Sequence, residues 1–187
     1  YRASDHQDYL LNLIDTPGHV DFSYEVAKSL QACEGTLLVV DAAQGVEAQT
    51  VANYLLAKDH GLAIVPLVNK IDLGHAQVDR TTREIHQLLQ QPDVTISYVS
   101  AKEGRGIDEV LERIVHEIPP PVGDPAKPLA ALIFDSAYDS YKGVVVFIRM
   151  VDGVGRRGMG ITLLGRKAHF EVQEVGVLEE MKALVGG

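Results

Sequence analysis

The chain has 187 residues, 46% of them hydrophobic, enough to bury one domain, or one domain and part of a second. Its net charge of -9 is uneven: residues 1–123 carry 9 Lys/Arg against 18 Asp/Glu, whereas 124–187 carry 8 of each. An acidic first part excludes tight nonspecific binding to nucleic acid, though not docking through a few local contacts. The longest apolar runs fall well short of the roughly 20 residues of a spanning helix, and no basic, apolar leader opens the chain, so no transmembrane segment is expected. The single cysteine, Cys33, has no partner for an internal disulfide, which suits a reducing cytosol.

In chain order, the first apolar run is "YLLNLID", residues 9–15, followed by "TPGHVDF" and a helix beginning near Ser23 with Phe22, Val26, Leu30 and Cys33 on one stripe. Gly35 is its expected C-terminal stop. Three further apolar runs follow: "GTLLVVDA", "LAIVPLVNK" and "VTISYVSAK". All four read as buried strands of a parallel sheet, because their apolar character is nearly continuous instead of alternating. A helix over about Arg80–Gln91 is expected to be halted by Pro92, and "IDEVLERIVHEI" is a helix with Ile107, Val110, Leu111, Ile114, Val115 and Ile118 spaced by three and four. This alternation predicts an α/β fold: a parallel sheet with flanking helices and right-handed crossovers.

After Ile118 the pattern changes. "PPPVGDPAKP" packs five of the eight prolines into ten residues, a stiff connector. "LAALIFDS", "GVVVFIRMVDG", "GITLLG" and "FEVQEVGVL" then read as glycine-broken strands, the start of a β-barrel, with helix only in the last few residues. The expected division is a first domain over 1–118, a proline-rich linker over 119–128 and a partial β-barrel over 129–187.

Ligands of open α/β sheets bind beyond the carboxyl ends of the strands, here Asp15, Asp41, Asn69 with Lys70, and Ser100 with Ala101. In "NKID", Asn69, Lys70, Ile71 and Asp72 follow a strand, and the Asp72 carboxylate can accept two hydrogen bonds from the N1–H and exocyclic amine of guanine, where adenine presents the wrong pattern. The Lys70 stem can lie along the base and the Asn69 amide can tie neighbouring loops. "SAK", Ser100, Ala101 and Lys102, follows the next strand, where backbone N–H groups around Ala101 can donate to guanine O6. "DTPGH" suits a γ-phosphate, with Thr16 counted among its nucleotide-binding residues: Asp15 can hold the water shell of Mg²⁺, Pro17 and Gly18 shape a tight loop whose Gly18 N–H can approach phosphate closely, and His19 is placed to orient an attacking water. Asp41 ends its strand with no matching role and is assigned to loop geometry. The other histidines form no ligand pattern.

With these motifs in order, "LNLIDTPGHVDFSYEVAKSLQACEGTLLVVDAAQGVEAQTVANYLLA" resembles the second switch and following strand of translational GTPases. "FSYEV", "ACEG" and "DAAQGVEAQT" are more similar to the LepA family, the back-translocating elongation factors, than to translocase-type factors. "IPPPVGDPAKPLAALIFDSAYDSYKGVVVFIRMVDG" is similar to that family's entry into its second, β-barrel domain. The resemblance implies a GTPase-type (P-loop) α/β sheet, incomplete here, and the start of a translation-factor β-barrel. It also implies binding of GTP and GDP with Mg²⁺, hydrolysis of GTP with His19 as catalytic residue, and partnership with the ribosome, its RNA and proteins, and tRNA-bearing complexes. Localisation would be cytoplasmic, with peripheral association at the bacterial inner membrane.

The departures bear on activity. No G-x-x-x-x-G-K-[ST] occurs in these 187 residues, and the first switch with its Mg²⁺-binding threonine is missing. "RRGMGITLLG" departs from the family's glycine–aspartate turn. The expectation is an internal segment whose parent hydrolyses GTP while the segment alone is inert. The alternatives are another translational GTPase, of translocase or ribosomal-protection type, or a non-hydrolysing module that binds ribosomes or partners.

Overall fold

A computed structural model describes residues 1–16 and 23–177. The sequence order of elements is α1 (Ser23–Gln31), β1 (Gly35–Asp41), α2 (Ala48–Asp59), β2 (Ala63–Asn69), α3 (Val78–Leu89), β3 (Ser97–Tyr98), α4 (Ile107–Glu117), β4 (Ala130–Asp139), β5 (Gly143–Asp152), β6 (Gly160–Leu163) and β7 (Ala168–Glu171). By spatial contact the chain divides into two compact units, Tyr1–Pro121 with Ile133–Phe147, and Val122–Leu132 with Ile148–Gly187.

The first unit is built on a parallel sheet of order β1-β2-β3. β2 is central, and its Val65, Pro66, Leu67 and Val68 are all buried, the continuous apolar pattern of a strand covered on both faces. One face carries Leu38, Val40, Ala42 and Val68 against Tyr54 of α2 and Ile85 and Leu89 of α3. The other carries Leu67 and Val99 against Val110 of α4, with Leu37, Ile107 and Ile114 beside them. Val26 and Leu30 of α1 meet Ala57 of α2 in a third cluster. Each fully buried aliphatic side chain contributes about 1.5–3 kcal/mol.

Several expectations are corrected. Residues 9–15 form no strand: Leu10 and Leu13 are 85% and 81% exposed, and the described backbone bonds near them close locally, as from Tyr9 N–H to Tyr1 O at 2.7 Å. A parallel strand exists only when a neighbour shares its ladder, and the apolar composition of this run supplies no such neighbour. Gly35 does not cap α1, which ends at Gln31; it opens β1, and a Cβ there would lie 2.7 Å from the Ile118 side chain. α3 ends at Leu89, ahead of Pro92, because Gln90 turns left-handed at φ 55°. "VTISYVSAK" pairs only at Ser97 and Tyr98, since the chain turns back at Ser100, which bridges Arg105. α2 is the helix that periodicity does not announce: apolar residues lie all round it, and only Tyr54 and Ala57 are buried.

β4 and β5 pair in a two-stranded sheet through a three-residue connection, short enough only for antiparallel neighbours. Asp139 Oδ1 accepts from the Tyr141 and Lys142 N–H groups at 2.8 and 2.9 Å, shaping that turn. In the second unit β6 and β7 form an antiparallel hairpin. "FEVQEVGVL" is strand only as far as Glu171, and residues 178–187, with the helix expected there, lie outside the described residues. Asp152 accepts from Asp124 N–H at 2.8 Å and pairs with Lys127 at 3.5 Å.

Candidate functional site

The register of β1 on β2 sets the site. Asp41 lies opposite Asn69, so two strand ends deliver their polar residues side by side. Leu67 pairs with Ser97 and Val68 with Tyr98, and continuing that register brings Ser100 level with Lys70. Three loops therefore meet at the carboxyl edge of the sheet, where α/β folds receive ligands.

Asn69 joins two of them. Its Oδ1 accepts from Lys70 N–H at 2.8 Å and from Ala101 N–H at 3.1 Å. Ser100, fully buried, donates its hydroxyl to Asp72 Oδ1 at 2.6 Å and accepts from Glu103 N–H at 3.2 Å. Asp72 thus has one oxygen fixed from behind by Ser100, which sets the plane of the carboxylate. The structure brings together Asn69, Lys70, Ile71, Asp72, Ser100, Ala101 and, on the same turn, Lys102. Asp15 is an exposed carboxylate and Thr16 is half-buried beyond the run 9–15. Pro17, Gly18 and His19 lie outside the described residues.

The Asp72 carboxyl is held below the ordinary aspartate value of 3.8, first by the Ser100 hydroxyl, against some desolvation, and then by the Lys102 and Arg105 charges. A lowered folded-state value means that the stabilisation is complete above pH 3.8 and is lost as the pH falls through the lower folded value. An NMR titration of Asp72 is therefore expected to show it ionised through the ordinary aspartate range, and Ser100→Ala should move its midpoint upward.

Sequence reasoning assigned Asp41 to loop geometry, which its bond from Ala43 N–H fits, and missed its pairing with Lys70. Burial raises its pKa, but the Lys70 ammonium and the Ala43 N–H outweigh that and hold it low. Lys70 Nζ lies 2.6 Å from Asp41 Oδ2, and Ala43 N–H donates to Oδ1 at 2.7 Å. Lys70 itself has φ 66°, left-handed backbone that costs a residue with a Cβ about 1–2 kcal/mol. The signal lay in two runs ending in polar residues, Asp41 and Asn69, but only the ladder register shows that they are neighbours.

The adjoining loop is fixed from α3. Glu84 accepts from Val46 N–H at 2.9 Å and from Arg80 Nε at 2.7 Å, and its carboxyl is lowered first by the Val46 bond. Gly45, at φ 80°, lies where a Cβ would run into that carboxylate. Among the described residues no group of three or more His, Cys, Asp or Glu could hold a metal ion, and no helix is long and apolar enough to cross a membrane.

The family model for the elongation factor Tu GTP binding domain matches residues 2–120. The chain belongs to that family. The elongation factor 4 of Desulforudis audaxviator is 56% identical over 177 residues, 95% of this chain, and that of Alkaliphilus metalliredigens is 56% identical over the same length. The elongation factor 4 of Synechocystis is 53% identical over 185 residues, 99% of this chain. The similarity to the LepA family thus extends over nearly the whole chain, which spans 29 to 31% of the length of these relatives. Among solved structures, a Methanococcus maripaludis translation elongation factor, SelB, in complex with the GTP analogue GppNHp, matches with a TM-score of 0.70 and 23% identity, covering 83% of this chain and 36% of that one. That likeness supports the fold, with which this chain's parallel sheet with helices, followed by antiparallel strands, is consistent.

Proposed function

We propose that this chain is the base-reading part of the GTP-binding domain of a LepA-like translational GTPase, with the first strands of the following β-barrel. The observation that carries this is the Asn69 Oδ1 bridge between the Lys70 and Ala101 N–H groups, beside an Asp72 carboxylate oriented by Ser100. Guanine would enter with N1–H and its exocyclic amine on Asp72, O6 near the Ala101 backbone, and one face along the Lys70 stem. Residues 1–118 would belong to the GTP-binding domain, 119–128 to a linker and 129–187 to the barrel.

Asp15 and Thr16 are oxygen donors of the kind Mg²⁺ takes, and a single carboxylate suits an ion otherwise held by water and phosphate. When bound with GTP, that ion would neutralise charge on the phosphates. Pro17 and Gly18 would hold the phosphate-side loop close, and His19 would orient water toward the γ-phosphate. The protein would work on the ribosome, against its RNA, proteins and bound tRNA, in the cytoplasm, with peripheral contact to the inner membrane.

The test places the chain in a full-length frame: a chimaera of the Desulforudis audaxviator elongation factor 4 carrying residues 1–187 in place of its aligned stretch. GTP turnover with bacterial ribosomes is expected, with His19→Ala lowering kcat about 100-fold while GDP affinity stays within about twofold. The 187-residue chain alone, which has no G-x-x-x-x-G-K-[ST], is expected to give no turnover. Unchanged turnover in the His19→Ala chimaera rejects the assignment.

A further inference from the structure

We infer that Asp41 is a positioning residue for guanine recognition, acting through Lys70. The inference rests on the reading that this strand edge holds guanine, and it assigns a role to a residue outside the guanine-reading motif itself. Lys70 is a lysine held in left-handed backbone, at φ 66°, with its N–H tied to Asn69 Oδ1. Backbone strain in a residue with a side chain persists where the surroundings determine it, and here they act at both ends of the residue. Asn69 fixes the main chain, and Asp41 Oδ2 fixes Nζ at 2.6 Å.

The base of the clamp is itself secured. Asp41 Oδ1 takes the Ala43 N–H at 2.7 Å, Ala42 N–H donates to Asn69 O at 2.8 Å, and the Asp41 side chain is only 16% exposed. Lys70, by contrast, is 55% exposed, so the pair is screened by solvent and adds little to stability. What the pair does fix is the path of a flexible four-carbon stem. The acid on the other side is Asp72, whose charge Lys70 also feels. Without Asp41, the ammonium is drawn toward Asp72, which removes a flat support for the base and occupies the carboxylate that reads it.

Asp41→Asn separates this role from loop structure, because the amide oxygen still accepts from Ala43 N–H while the charge is lost. In the chimaera, GDP affinity is measured with a fluorescent GDP analogue for wild type, Asp41→Asn, Lys70→Met and the double variant. Asp41→Asn is expected to weaken GDP about tenfold, through faster release, with the thermal midpoint of the nucleotide-free protein unchanged. Lys70→Met should weaken it comparably, and the double variant should be no worse than about twofold beyond either single one. An Asp41→Asn affinity within about twofold of wild type, multiplicative losses in the double variant, or a loss accompanied by a lowered midpoint each overturns the proposal. ADP serves as the control: a wild-type chimaera that does not prefer GDP over ADP overturns the guanine reading and this inference together, whereas a wild type that prefers GDP with an unaffected Asp41→Asn overturns this inference alone.

Discussion

Asp72→Asn in the chimaera is expected to weaken GDP by at least about 100-fold and to create affinity for xanthosine diphosphate. The first part follows from two charge-assisted hydrogen bonds, each contributing about 1.5–3 kcal/mol, of which the amide keeps one weakened acceptor. The second follows from xanthine carrying a carbonyl where guanine carries its exocyclic amine: the asparagine NH₂ can donate to it, whereas a carboxylate repels it. Ser100 matters to this outcome, because its hydroxyl at 2.6 Å from Oδ1 leaves the other oxygen position facing the base. Ser100→Ala is the milder companion, since it loosens the plane without removing an acceptor. Competition binding with GDP and xanthosine diphosphate reads both, and a variant that keeps wild-type preference for GDP would show that Asp72 does not read the base.

Arg113→Ala is expected to give the largest loss of local stability. Arg113 is a nearly buried guanidinium that fastens α4 to the sheet. Its Nη1 donates to Ser97 Oγ at 2.9 Å and to Pro66 O at 3.3 Å, its Nη2 to Thr95 O at 3.0 Å, and its fork closes on Glu117. Removing it leaves two buried acceptors, Pro66 O and Ser97 Oγ, and the part-buried Thr95 O short of a donor. At about 1 kcal/mol for each lost bond the local cost is about 3 kcal/mol, and the half-exposed Glu117 can turn to water. That converts to a fall of about 100-fold in the exchange protection of Val99 N–H, whose bond to Val68 O at 2.8 Å joins β3 to β2. Unchanged protection at Val99 would mean that the guanidinium is not what holds this edge of the sheet.

Much of the sheet was legible in the sequence because a strand covered on both faces writes a continuous apolar run. β2, buried from Val65 to Val68, is such a run, while β1 coincides with another apolar run although its Val39 is 53% exposed; they end at Asp41 and Asn69 as the polar residues suggested. α4 was legible because Val110 and Ile114 repeat on one face, and two acids, Asp108 and Glu109, occupy its first turn. What stayed hidden depends on partners distant in sequence. Residues 9–15 have the composition of a strand, but composition does not create a neighbouring ladder. β3 is cut to Ser97 and Tyr98 because Ser100 bonds back to Arg105, a tertiary choice that no run length encodes. α2 hides for the opposite reason, since its apolar residues do not favour one face. Of the site, Asn69, Asp72, Ser100 and Ala101 could be named from motif and order, whereas the Asp41–Lys70 pair required the register of β1 on β2.

Base selectivity in the wild-type chimaera tests the central claim most directly. GDP and ADP share phosphates, ribose and metal preference, so their difference isolates what Asp72 and the loops around it present to the base. Competition against a fluorescent guanine nucleotide should give a GDP affinity at least about 100-fold tighter than that of ADP. Equal displacement by the two nucleotides would contradict the account.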